Sequence, residues 1–191
     1  MLNKKSKMNR LLLVSGSGRN SGKTTLACEI IKNVSKKTAV YALKISPHFH
    51  QLSEKQELLI NQKGFKVFRE KDKASNKDSS RMLQAGAKDV FYIQCEDKDV
   101  AESFQKALQF IPQNYPVVCE SGSLAKYYKP GLHLLIVNVS IEENKKSFLE
   151  SKQLADHIIY FDGTSFSLNI NQISFNEEIW RFERSVKGFY I

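Results

Sequence analysis

Nowhere in these 191 residues does an apolar run approach the roughly 18 that a membrane-spanning helix needs. Cysteine is scarce. Cys28, Cys95 and Cys119 are an odd number without metal-type spacing, so neither a disulfide framework nor a thiolate metal site is read here. They read instead as small buried hydrophobes in a reducing cytoplasm. No internal repeat recurs, and no stretch has the composition of an interdomain linker. Acidic residues are outnumbered, 20 against 29 Lys and Arg, for a net charge of +9. That excess could signal nucleic acid. The basic residues, however, are scattered in small clusters at 4–10, 36–37, 63–73 and 145–146, and none is interleaved with stacking aromatics over a long stretch. A phosphate-rich small ligand accounts for part of the bias, and nucleic acid is disfavoured. A hydrophobic fraction of 41% and a charged fraction of 26% are those of a soluble globular protein. The length suits one unit over 1–191 with a sizeable core.

What is present is concentrated in residues 11–25, LLLVSGSGRNSGKTT. Four apolar residues lead into a glycine-rich run that ends in Gly22-Lys23-Thr24, and a helix-like run follows. This is the form of a phosphate-binding P-loop. Glycines let several backbone N–H groups point at one anion, and the helix adds its positive N-terminal end. Gly18, Asn20, Ser21, Gly22 and Thr25 complete the cradle. Lys23 would reach the β- and γ-phosphates, and the Thr24 hydroxyl would ligate Mg²⁺. Ser17 stands where the pattern has its first glycine, flanked by Gly16 and Gly18. The alternative is an ordinary Gly/Ser turn before an amphipathic helix. The strand-like run before the loop and the helix-like run after it favour the P-loop.

The first residues, MLNKKSKMNRLLLV, are basic and then apolar, like an export signal. Cleavage there would remove the strand that carries the loop, so export is rejected and a cytoplasmic protein is expected. Residues 1–9 read as a disordered basic lead, with Met8 an alternative start.

Strand-like runs at 11–15, 39–45, 90–94, 116–119, 134–139 and 157–161 alternate with helix-like runs at 22–35, 78–86, 99–110 and about 145–155. Short continuous apolar runs suit strands buried on both faces. The predicted fold class is therefore α/β, a P-loop NTPase with a mostly parallel twisted sheet and helices on both faces. Residues 56–73 read as a hairpin or edge-strand insertion. Phe166, Leu168 and Ile170 alternate with polar residues, and Ile173 and Phe175 follow, so the extension 164–191 is expected to lay an extra strand or hairpin over the sheet.

Ligands in open parallel sheets bind beyond the carboxyl ends of the strands. The second strand ends in Lys44-Ile45-Ser46-Pro47-His48-Phe49-His50. Lys44, His48 and His50 are thus candidates for a second ligand or a metal, against a plain surface loop with two histidines. In KDSSRMLQAGA, Asp78 reads either as an N-cap or as a residue that orders Mg²⁺ or water, and Arg81 could face an acidic substrate. The strand PVVCE ends in Glu120, where P-loop proteins place a carboxylate that orients Mg²⁺ through water. Asn138 lies near a strand end, but N-V-S-I lacks the Lys and Asp of the guanine-reading N-K-x-D.

These pieces together resemble the family of molybdopterin-guanine dinucleotide biosynthesis protein B, within the wider class of P-loop proteins that includes metallochaperone GTPases. The resemblance spans about 11–163 and rests on GRNSGKTTL, ALKISPHFH, KDSSRMLQAGA and VVCESGS. Lys44, Asp78, Ser79 and Glu120 match position by position; His48 and His50 match loosely. Ser17, the longer loop after Glu120 and the missing guanine motif depart from the pattern. The resemblance implies a Mg²⁺- and GTP-binding accessory protein of molybdenum cofactor biosynthesis. Hydrolysis would be slow, because no arginine finger or water-positioning Gln is identifiable. Lys23, Glu120 and Asp78 would be catalytic, with Thr24 and Glu120 at the metal. Lys44, His48, His50 and Arg81 would hold a molybdopterin-type ligand. The implied partners are a guanylyltransferase and a second copy of the chain. The run CESGSLAKYYKPG also looks like the Glu-Gly-Ala-Gly-Gly loop of dethiobiotin synthetase-type enzymes. This implies the alternative of an ATP-dependent small-molecule ligase or kinase. A nucleotide-gated binding module without catalysis is the remaining alternative.

Overall fold

A computed structural model of the chain describes residues 7–16, 18, 20–49, 55–139 and 146–183. Its short apolar runs pair into one eight-stranded sheet. In chain order the elements are β1 (Lys7–Gly16), α1 (Lys23–Val34), β2 (Tyr41–Ser46), β3 (Gln56–Gln62), β4 (Phe65–Glu70), α2 (Asp78–Gln84), β5 (Asp89–Cys95), α3 (Val100–Leu108), β6 (Val117–Glu120), β7 (Lys129–Asn138), α4 (Lys146–Leu154) and β8 (His157–Phe161). The spatial order is β3-β4-β5-β2-β6-β1-β7-β8. All pairings are parallel except those of β4 with β3 and with β5. The β3–β4 hairpin therefore forms one antiparallel edge, in the stretch that departs from strand–helix alternation.

Period-two geometry sorts the continuous run of β1 onto two faces. Leu12 and Val14 join Leu26, Ile30 and Ile31 of α1 and Met82 of α2 in one buried cluster. Leu11 and Leu13 join Val100, Phe104 and Ala107 of α3 in the other. Helices thus cover both faces, which is why these strands can be apolar at every position.

Two expectations are corrected. Residues 7–9 belong to β1 rather than to a disordered lead, because Lys7 and Met8 pair in register with Lys129 and Pro130 of β7. Residues 1–6 of that lead lie outside the described residues. The alternation at 166–170 is not a strand. Asn169 accepts from Asn171 N and forms a capping box with Gln172, which turns the backbone into a short 3-10 helix at Ile170–Gln172. The extension forms its hairpin one step later, as β9 (Ile173–Asn176) and β10 (Ile179–Phe182). Trp180 anchors it, 3% exposed, with its indole N–H donating to the Arg10 carbonyl at 2.8 Å.

His133 of β7 is fully buried. Its Nδ1 lies 3.1 Å from the Leu154 carbonyl and its Nε2 2.7 Å from Ser15 Oγ. The carbonyl can only accept, so Nδ1 carries the proton and Nε2 accepts from the Ser15 hydroxyl. Burial lowers its pKa from 6.5, against the opposing pull of the Leu154 carbonyl and the Asp156 charge. Above pH 6.5 His133 is neutral folded or unfolded. Below 6.5 the unfolded chain takes up the proton first, so stability falls as pH drops toward the lower folded value. Urea unfolding of the wild type from pH 7.5 to 5 is expected to show this loss. His133→Gln should show a shallower slope over the same interval, and an identical slope would assign the effect elsewhere.

Candidate functional site

The parallel order sets β6 between β1 and β2. Val14 of β1 and Lys44 of β2 both pair with Glu120 of β6. The carboxyl ends of three strands therefore meet where the loop leaves β1. The loop closes tightly there. A Cβ at Gly16 would lie 2.7 Å from Ser21 Oγ and 2.9 Å from Lys23 Cγ, so a larger residue there would push both side chains aside. Ser17 itself lies outside the described residues; the close approach is made one position earlier. Asn20 and Gly22 have positive φ, 58° and 88°, and Gly22 is the N-cap of α1. A Cβ on Gly22 would also meet the Phe161 ring at 2.9 Å. Lys23 Nζ donates to the Gly18 carbonyl and to Ser21 Oγ at 3.0 Å.

From Thr24 a polar chain crosses four elements. The Thr24 hydroxyl donates to Glu120 Oε2 at 2.8 Å. Lys44 Nζ donates to Glu120 Oε1 and lies 2.8 Å from Asp78 Oδ2. Arg81 Nη1 is 3.9 Å from Asp78 Oδ1, and Nη2 donates to Thr25 Oγ1 at 3.2 Å. Thr24 and Thr25 are neighbours, so the chain closes into a ring at the first turn of α1. Burial alone would lower the Lys44 pKa, but Glu120 and Asp78 together hold it above its usual value. Burial would likewise raise Asp78, but Lys44 first, then Thr24 and Arg81, hold its carboxyl below the usual range. Lys44 and Asp78 are therefore both ionised at neutral pH. Asp78 is the first residue of α2, and Lys77 is the N-cap.

A cleft of about 840 Å³ opens over this ring. Gly18, Asn20, Ser21, Gly22, Lys23, Thr24 and Thr25 line it together with Lys44, His48, Asp78, Arg81 and Glu120. His48 is exposed. His50 lies outside the described residues. Asn138 is buried at the end of β7, in register with Phe161. Two cleft residues carry no motif signal. Ser121 accepts from the N–H groups of Ser123 and Leu124 and shapes the turn after Glu120. Phe161 stacks on Phe166 and fills the space under Gly22. The aromatic end of the apolar run 157–161 was the only hint of it. The cysteines are protonated thiols, with burial pushing Cys28 up to about 11 and raising Cys95 and Cys119 too.

The donors in the cleft fit a hard divalent cation. Thr24 Oγ1 and Glu120 Oε2 are oxygens 2.8 Å apart at the end of the phosphate loop. Among the described residues no group of three or more His, Cys, Asp or Glu could hold a metal. An ion here would take most of its shell from water and phosphate, as Mg²⁺ prefers.

No protein-family model matches the chain. No curated protein matches it either. Among solved structures it is similar to LpxK from Aquifex aeolicus, crystallised in its "apo" form in complex with ATP, with a TM-score of 0.52 at 14% identity. The likeness covers 94% of this chain and 61% of that one. It overturns the resemblance to the molybdopterin-guanine dinucleotide biosynthesis family drawn from the motifs. A phosphate loop, a lysine ending the second strand and a glutamate ending an apolar strand are demands of phosphate and metal binding, so they recur beyond one family. No helix among the described residues is long and apolar enough to cross a membrane. The chain has an α/β fold with a mixed, largely parallel central sheet flanked by helices, the architecture of the P-loop NTPases.

Proposed function

We propose that this chain is an ATP-dependent phosphotransferase acting on a small second substrate, with the nucleotide phosphates in the loop 18–25 and Mg²⁺ at Thr24 and Glu120. One observation carries the reading: a phosphate-loop lysine and threonine share a cleft with Glu120, Lys44 and Asp78, drawn from four separate elements. Two facts favour ATP over GTP. The strand end at Asn138 lacks the guanine-reading lysine and aspartate, and the similar LpxK fold was solved with ATP.

Phosphoryl transfer needs positioning and charge neutralisation more than covalent chemistry. In this reading the backbone of 18–25 and Lys23 grip the phosphates. Mg²⁺, when bound, supplies positive charge at the transferring group. Lys44 bridges Asp78 and Glu120, holding both side chains in place before substrate arrives, so little reorganisation is left for the reaction. Asp78 lines the cleft beside Thr24 and takes the proton of the attacking group. Its low basicity suffices, because a loose transition state asks little of the base.

Glu120→Gln tests the assignment. It is expected to lower Mg²⁺-dependent ADP formation roughly 100-fold, the scale of losing one preorganised electrostatic partner. ATP affinity without metal should stay within about threefold, because loop and Lys23 are untouched. Calorimetry and coupled ADP assays read the two. Equal loss of metal-free binding would make Glu120 a support of the fold instead.

A further inference from the structure

A second, smaller cavity of about 180 Å³ opens beside the main cleft and shares Ile45, Pro47 and Gly122 with it. It lies beyond the carboxyl ends of β2, β5 and β6, the edge where ligands of parallel sheets sit. Ile45, Pro47, Cys95 and Val100 form its apolar wall. Burial raises the Cys95 pKa, so that wall carries a neutral thiol. Asp97, Ser123 and Lys126 form the polar part of the lining. At about 30 Å³ per water-sized group, the space takes on the order of six heavy atoms. It is too small for a nucleotide and suited to a ring or short chain.

The charges nearby narrow the chemistry. Lys44 and Arg81 already face carboxylates within the polar ring. Lys126 lies 3.6 Å from Glu150. An anionic second substrate would have to compete with these carboxylates for each cation, whereas a neutral one need not.

We propose that this side cavity receives the apolar body of a neutral, hydroxyl-bearing phosphoryl acceptor, whose hydroxyl projects past Pro47 and Gly122 into the main cleft. The proposal rests on the phosphotransfer reading above. In the step, the acceptor oxygen bonds to the γ-phosphorus as the bond from that phosphorus to the β-phosphate oxygen breaks. The hydroxyl proton passes to Asp78, and ADP leaves with the bonding pair. Ile45, Pro47 and Val100 act as specificity residues, favouring acceptors that carry an apolar group.

Gly122 allows a direct test. A Cβ there meets nothing within 4 Å, so Gly122→Leu can fill the passage between the cavities. Ser123→Leu does so from the next position and keeps the backbone bond to Ser121 Oγ. The probe is benzyl alcohol, with glycerol as the polar comparison, on the full chain. Saturation-transfer NMR is expected to show benzyl alcohol bound in the wild type, with the signal lost in both variants. ADP formation from ATP should rise with benzyl alcohol and not with equal glycerol. In the variants the alcohol concentration needed should rise about 10-fold or more, the scale set by a methylene-sized change in an apolar pocket.

Absence of an NMR signal from bound benzyl alcohol, or a signal unchanged in both variants, overturns the cavity assignment. Binding of the alcohol without any rise in ADP overturns the acceptor role. An ATP-induced shift in melting temperature is read alongside. If ATP gives no shift while the alcohol signal behaves as expected, the nucleotide reading fails and the cavity assignment stands by itself.

Discussion

Lys23→Ala is expected to remove ATP binding while leaving the fold intact. Lys23 Nζ donates to two loop acceptors, the Gly18 carbonyl and Ser21 Oγ. Buried core packing is carried instead by Leu26, Ala27, Ile30 and Ile31 on the next turns of α1. A charge-assisted hydrogen bond to phosphate is worth about 1.5–3 kcal/mol. Losing the contacts to two phosphates should therefore weaken affinity by roughly 100-fold or more, since about 1.4 kcal/mol is tenfold. Isothermal calorimetry reads the affinity and circular dichroism the fold. Normal affinity in a folded variant would move the phosphate site away from this loop.

Much of this arrangement is written locally. The glycines at 16, 18 and 22 and the apolar run before them specify a tight strand-to-helix loop, because Gly16 must let Lys23 pass and Gly22 must adopt a left-handed φ. The acidic end of β6 and the basic end of β2 are visible as single residues closing apolar runs. Their contact is not visible, because it depends on β6 inserting between β1 and β2, a non-local pairing that periodicity does not encode. For the same reason the ion pairs that Lys44 and Arg81, read as candidates to hold a second ligand, make with Asp78 and Glu120 are not visible in the sequence. The tail misled by pattern: alternation at 166–170 matched a strand, but the Asn169 side chain captured the backbone into a turn. Glu70 carried no signal at all. It ends β4, is 1% exposed, and accepts from Gln56, Ser79 and the Lys71 and Asp72 backbone. It thereby ties the start of α2, and with it Asp78, to the sheet. The family resemblance misled because short motifs report the chemistry of phosphate binding, not descent.

Lys44→Met is expected to be the most destabilising change in the cleft. The Glu120 side chain is 2% exposed, and Lys44 is its ion-pair partner. Removing one member of such a pair strands a buried charge at a cost of about 3–5 kcal/mol. At roughly 2–4 °C per kcal/mol for a chain of this size, the melting temperature should fall by on the order of 10 °C. The double variant Lys44→Met with Glu120→Gln should recover much of that loss, because no unpaired charge is left behind. Asp78 contributes less, since its side chain is 42% exposed and water screens it. Differential scanning calorimetry of the two single variants and the double closes the cycle. A single variant that melts within 2 °C of wild type, or a double variant no more stable than Lys44→Met, would deny the buried pair its role.

The central claim is that residues 18–25 hold ATP phosphates with Mg²⁺ at Thr24 and Glu120. Equilibrium titration of the wild-type chain with ATP, with and without Mg²⁺ and at two salt concentrations, tests it most directly. The account predicts saturable one-to-one binding that strengthens when Mg²⁺ is added, exceeds that of GTP, and survives 200 mM salt. Binding that ignores Mg²⁺ and collapses with salt would mark a diffuse attraction of phosphate to a chain of charge +9, and would contradict it.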